Sequence, residues 1–455
     1  IKAPISTELL GNNILLAAKR DISLLSSNSI DRGNTRFKAG RDITSAVDTA
    51  LQKTEYTKNF EGSGRSFGKG LFGIRIGKWS EVHNSSETEE TPVPTRITSV
   101  GGTVDLDAEG KVHATATYIY GKDGVTISGA SVALDGAYAK RTYSQTDAYS
   151  FKGLQIGLGG TTVSYLNNAY VFGQNALRAR DNRLKILEGV ETKSEFDKAW
   201  SDYFDNTTSN NKITLSVALV SDKTKQTYDN VVVRSVGGSV ASEGDIVIRA
   251  KDIQNGEIKL IGQTLSGKDI RLETYHLDMA SGDNHSTPET GSHDSHAEIG
   301  ADFGKAGYIA PKIGYAASQN ETEETETYYT PTRINGDKIS ITAGGNMNIQ
   351  GSTLLGEQVD IAVGGDLTIT SDSASYTYRS KNAAIGMNVG LKSGQGGIDG
   401  SHANANKGKV DYRLNTVREQ AGIFAGAGGI NITVGGKTTL TGALIDSKAD
   451  KTKNN

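Results

Sequence analysis

The 455-residue chain contains no cysteine. That excludes disulfide staples, thiol nucleophiles and cysteine-based zinc sites. Only 6 prolines are present, and 49 basic residues face 52 acidic ones for a net charge of −3. The chain therefore has neither the proline content nor the charge excess of a disordered segment. The balance gives no electrostatic case for nucleic acid or an anionic membrane surface as partner. No apolar run approaches ~18 residues, so no membrane-spanning helix is expected. Apolar residues make up 36% and aromatics 7%, too little for one large globular core. What is abundant is glycine, at 55 residues, well above the ~7% of average proteins. A large secreted chain without cysteine also fits passage across a membrane in the unfolded state, where a disulfide would obstruct transit. The start at Ile1, with no signal peptide, and the Lys/Asn tail read as a piece of a longer protein.

Internal repeats decide the expected fold. In GDKISITAGGNMNIQGSTLLGEQVDIAVGGDLTITSD, apolar pairs fall at Ile339/Ile341, Met347/Ile349, Val359/Ile361 and Leu367/Ile369. Apolar residues alternate within each pair, as half-buried strands require. Gly-Gly, Gly-Asp and Gly-Asn separate the strands and supply tight corners. One turn takes about 20 residues, with two strands read per turn. Similar spacing runs from Ile14/Leu16 to Ile43, from Val104/Leu106 to Leu134 and from Ile430/Ile432 to Leu440, while a block from Ile246 through Ile258 to Ile270 is looser, with 12-residue steps. Such strands cannot bury their apolar faces singly, but stacked turns share a continuous interior. The fold class predicted is all-β: a right-handed parallel β-helix.

A larger repeat contains the smaller one. ETEET recurs at 87–91 and 321–325, followed by Pro-Thr-Arg-Ile at 94–97 and 331–334. Four glycine-rich excursions, around 66–79, 150–166, 297–315 and 382–397, alternate with strand periodicity and are read as β-hairpin arms. Either the arms pack back along the solenoid and cover its edges, or they enter a bilayer as amphipathic strands. Phe67, Leu71, Ile74, Ile76, Trp79, Ile385, Met387, Val389 and Leu391 are the candidate membrane or partner contacts. Residues 167–206 read as a helical insertion, with a capping box from Ser194 to Asp197 and an apolar face of Phe196, Ala199, Trp200, Tyr203 and Phe204. The insertion divides the chain into blocks 1–166 and 207–455.

Three segments, VGGSVASEGDIVIRA (236–250), GGNMNIQGSTLLGEQVDIAVGGDLTITSDSASYTYRSK (344–381) and VREQAGIFAGAGGINITVGGKTTLTGALI (417–445), resemble the repeats of filamentous haemagglutinin-type exoproteins. The likeness is to their second, C-terminal repeat region, as found in contact-dependent growth-inhibition toxins. The resemblance implies two-partner secretion through an outer-membrane partner, a secreted β-helical filament at the surface of a Gram-negative cell, and contact with a target-cell outer membrane or receptor during toxin delivery. An adhesin stalk is the alternative it implies. An elongated monomer is expected under either reading.

Catalytic chemistry is thin. His293 and His296 have an H-x-x-H spacing and are weak metal candidates in a stretch that reads as a solvated loop. The G-G-x-G-x-D calcium nonapeptide does not recur in tandem. Asp105, Asp107, Asp360 and Asp366 share no common spacing that would converge on a sugar, and no P-loop, G-x-S-x-G or H-E-x-x-H motif is present. No enzymatic activity and no cofactor are expected.

Overall fold

The computed structural model describes residues 6–67, 73–159, 214–304, 309–391 and 401–455, together with 166, 168–169, 191–195, 197–198 and 201. The chain winds as a parallel β-helix. Each coil carries three strands rather than the two read from the sequence. In one coil, Arg333–Ala343 turns a corner at its middle and so supplies two of them, and Met347–Gln350 supplies the third. Arg333 pairs in parallel with Thr353 and Ile339 with Val359, while Met347 pairs with Leu367. Each step is about 20 residues, the period of the repeat.

Inward residues stack coil upon coil. One column runs Leu16, Phe37, Leu106, Ile127, Ile248, Leu272, Ile341, Ile361 and Ile432, each the register partner of the next. Its interior members are buried, and its end members Leu16 and Ile432 only partly so. The column crosses the expected block boundary without a break, since Ile127 pairs directly with Ile248. In sequence, residues 167–206 fall between the two strands of one arm, and the coils on either side form one stack. Outside, Asn and Asp side chains tie successive corners. Asn346 Oδ1 accepts the Asp366 amide at 2.9 Å, and Asp366 Oδ1 accepts the Lys437 amide at 2.7 Å. The Gly-Asn and Gly-Asp corners thus carry a hydrogen-bond ladder as well as a bend.

All four arms leave from the same corner. The first comprises Asp48–Phe67 and Gly73–Val93, the second Ala137–Gly159 and Thr214–Val236. The third comprises Gly282–Phe303 and Ile309–Thr330, the fourth Ala374–Gly390 and His402–Thr416. The arms do not fold back over the coils. They pair edge to edge into one eight-stranded antiparallel sheet, and beyond their roots the arm strands pack on each other. The geometry has a simple cause. Neighbouring strands lie about 4.8 Å apart in any sheet. An arm leaves every second coil and is two strands wide, so arms and coils share one spacing. The intervening corners, without arms, turn on a single left-handed residue: Ser26 (φ 43°), Ala116 (φ 41°), Gly262 (φ 61°), Gly351 (φ 52°) and Gly442 (φ 61°).

The Pro-Thr-Arg-Ile motif closes the arm corner. Thr332 is fully buried. Its hydroxyl donates toward the Ala280 carbonyl at 2.6 Å and accepts the Gln263 amide at 3.1 Å. Thr95 occupies the same place under the first arm, accepting the Ser27 amide at 3.2 Å. Ile97 and Ile334 then enter the core. Thr332→Val keeps the shape and orphans those backbone groups, so it is expected to cost about 1–3 kcal/mol in urea unfolding. An unchanged midpoint would show that the hydroxyl does not tie this corner.

Residues 191–195 are helical. Ser194 thus sits inside the helical run instead of capping its start. Phe196, Ala199, Trp200, Tyr203 and Phe204 lie outside the described residues.

Candidate functional site: the two faces of the arm sheet

Register partners in an antiparallel sheet share a face, and neighbours along a strand alternate. Ile76, Leu154, Leu219, Ile299, Ile313 and Val389 form one row across six strands. The next row outward holds Ile74, Ile156, Val217, Ala301 and Pro311. Beyond it stand Leu158, Leu215, Phe303 and Ile309. On the third and fourth arms the apolar surface extends inward through Tyr315, Met387 and Ile385. Among the described residues nothing covers this face: Leu219 is 61% exposed, Ile299 57% and Ile313 53%. Contiguous exposed apolar surface on this scale marks a site of interaction.

The opposite face has a different chemistry. It carries Gly77, Gly153, Gly300 and Gly314 among buried charges. Arg75 Nη1 lies 2.5 Å from Asp222 Oδ2, with both side chains almost wholly buried. The Arg75 guanidinium also stands 4.9 Å from the Phe151 ring centre. His296 Nδ1 is 2.5 Å from the second oxygen of Asp222. Lys312 reaches Asp302 at 3.4 Å and Glu298 at 3.7 Å. Burial pushes the Asp222 carboxyl up, but the His296 hydrogen bond and the Arg75 charge together hold it below its ordinary value. Hydrogen bonds to Asp222 and Glu298 raise His296 to about 9, against the burial that opposes its charge. His296 is an imidazolium at neutral pH.

That assignment bears on the metal candidates. The segment read as a solvated loop is part of a 22-residue strand, paired on both sides. Residues three apart on a strand point to opposite faces, so His293 and His296 cannot share one ion. His296 is moreover committed to carboxylates. Among the described residues, no cluster of three or more metal-ligating side chains occurs. The acidic candidates on the coils are ladder residues. Asp105 pairs with Arg36 at 3.1 Å, Asp107 with Lys251 at 2.7 Å and Asp360 with Lys338 at 3.5 Å.

Of the proposed contact residues, Ile74, Ile76, Ile385, Met387, Val389 and Leu391 lie on the apolar face. Phe67 pairs in register with Ile74. Leu71 lies outside the described residues. Trp79 is on the other face, packed with Phe151, Ala218 and Val220. Its offset of three from Ile76 carries that information. The sequence reading passed over Leu215, Val217 and Leu219 and also Leu154, Ile156 and Leu158, whose strict alternation marks them equally well. No helix among the described residues is long and apolar enough to cross a membrane, a fact that says nothing of strands.

Comparison with known proteins fits this architecture. The Hemagglutinin repeat family matches residues 76–176, 220–385 and 375–451. Toxin CdiA of Escherichia coli is 29% identical over 464 aligned residues, covering 96% of this chain and 14% of that protein. A tRNA nuclease CdiA of Escherichia coli strain NC101 is 27% identical over 98% of the chain and 14% of its own length. A deoxyribonuclease CdiA of Dickeya dadantii is 27% identical over 89% of the chain and 12% of its own length. The chain thus spans about one seventh of the relatives it matches. No solved structure matches. The chain belongs to the Hemagglutinin repeat family, as a segment of a secreted, cell-surface exoprotein of the filamentous haemagglutinin and contact-dependent-inhibition type.

Proposed function

We propose that this segment is a rigid surface rod whose arm sheet engages the outer membrane of a target cell during delivery of a toxin carried elsewhere in the parent exoprotein. The observation that supports it is the uncovered apolar face centred on Leu219, Ile299 and Ile313. From Leu158 to Leu154 the face is about 14 Å deep, close to one leaflet of a hydrocarbon core some 30 Å thick. A polar, glycine-rich reverse face is what a sheet needs if only one side meets lipid. Export would use an outer-membrane secretion partner, and the rod would act as an elongated monomer. In this reading the toxic activity belongs to another part of the exoprotein, and this segment has a structural and delivery role.

The reading predicts that Leu219→Ser, Ile299→Ser and Ile313→Ser together abolish delivery by the full-length exoprotein while leaving cell-surface display intact. Delivery by the triple variant at the parental level would end the proposal. A second reading, adhesion to surface glycans, has one observation in its favour. Nearer the coils, the reverse face presents Tyr143, whose hydroxyl donates to Gln145 Oε1 at 2.7 Å, while Gln145 donates to Asp147 at 2.6 Å. Aromatic and planar polar groups held in this way suit sugar hydroxyls. Adhesion that survives the apolar triple variant and fails in Tyr143→Ala with Gln145→Ala would favour it.

A further inference from the structure

On the first and second arms, the same face changes character over a single step below the apolar rows. Lys78 and Lys152 are register partners in the row immediately inward of Ile76 and Leu154. Lys223 lies one row further in and Lys225 one row beyond that. All four ammonium groups are exposed, and among the described residues none has a carboxylate partner. The three rows they occupy contain one acid, Glu61, which stands three strands from Lys223 on the edge of the sheet. The inner two of these rows also floor a trough of about 650 Å³, whose lining combines Lys223, Lys225, His293 and Asp294 with Ala148 and Ile385. A row of cations immediately inward of an apolar face matches a lipid whose headgroup is anionic and whose chains are not.

The depth agrees. Lys152 is six residues from Leu158 along one strand, about 20 Å at ~3.4 Å per residue. A bilayer is about 30 Å thick in its hydrocarbon and about 40–45 Å with headgroups, so its headgroup layer spans roughly 15 to 22 Å from the midplane. With Leu158 at the midplane, Lys78 and Lys152 arrive at the phosphates, and Lys223 and Lys225, one and two rows nearer the coils, stand about 7 and 14 Å beyond them on the aqueous side. Tyr315, in the row of Lys152, then sits where aromatic side chains concentrate at membrane interfaces. We infer that Lys78 and Lys152 form a headgroup site for phosphorylated, anionic lipids, with Lys223 and Lys225 adding positive charge on its aqueous side. The inference rests on the membrane reading above and adds the lipid class that it selects.

The test is co-sedimentation of the whole segment with phosphatidylcholine vesicles, with or without phosphatidylglycerol, at low and physiological salt. The parent should partition more strongly into the anionic vesicles, and the preference should weaken with salt. A Lys78→Gln, Lys152→Gln variant should lose about fivefold in partition per lysine on anionic vesicles, and nothing on neutral ones. Circular dichroism matching the parent establishes that the variant is folded. Equal binding to both vesicle types, or an anionic preference untouched by the lysine variant, overturns the headgroup site and leaves the membrane reading standing. Failure to bind either vesicle, or a dimer sealed through this face in its place, overturns both. Displacement by millimolar inorganic phosphate would show that a free anion, and not a lipid, is the ligand.

Discussion

Asp222→Asn should destabilise the segment by about 3–5 kcal/mol, the range expected when one partner of a buried ion pair is neutralised and the other is left behind. Arg75 has little else to answer its charge. Its Nε donates to Gln155 Oε1 at 2.8 Å, a neutral group, and its guanidinium faces the Phe151 ring. The loss should fall on the arm sheet, because Asp222 joins the first, second and third arms through Arg75 and His296. A pH signature accompanies it. The folded-state value of His296, about 9, lies above its ordinary 6.5. Its contribution to stability is therefore fully present below about pH 6.5 and is lost as pH rises through about 9. The parent should lose stability across that window, and the Asn variant should lose less. NMR titration of the imidazole is the direct check. A value near 6.5 in the parent would mean that the network is not assembled as described.

Ile248→Ala is expected to cost about 3–4 kcal/mol, within the range for large-to-small changes in a packed interior. Ile248 is fully buried between Ile127 and Leu272. In a solenoid each coil touches only its neighbours, so a cavity in the middle of a column weakens two interfaces and invites the stack to unfold in two parts. The same change at Leu16, which is only partly buried at the end of the column, should cost distinctly less. Urea unfolding followed by circular dichroism distinguishes the two. Equal losses at both positions would show that burial along the column does not set the stability of the rod.

The coil period was legible because two of its three strands each present a pair of alternating apolar residues to the interior, as Ile339/Ile341 and Met347/Ile349 do. The third strand was not. It often gives the core a single side chain, such as Ile334, Leu354 or Ile423, set among Thr, Arg and Gly. One apolar residue has no periodicity to detect. The third arm was obscured in a different way. Residues 282–296 are Ser-, Thr- and His-rich, and only their pairing on both sides makes them a strand. Faces were legible by parity alone, which assigns Trp79 away from Ile76 and separates His293 from His296. Charge was the least legible quantity. A net of −3 argues against an anionic surface as partner, yet folding brings Lys78, Lys152, Lys223 and Lys225 onto one side of one sheet. Their separation in sequence hid a grouping that only inter-arm pairing creates.

The shared spacing of arms and coils restricts how such a protein can lengthen or shorten. Loss of a single turn would set the following hairpins one strand width out of step, doubling strands in one place and opening a slot in another. Changes in length that preserve both layers must therefore come in pairs of turns together with one hairpin. The duplication unit of the gene should reflect that quantum.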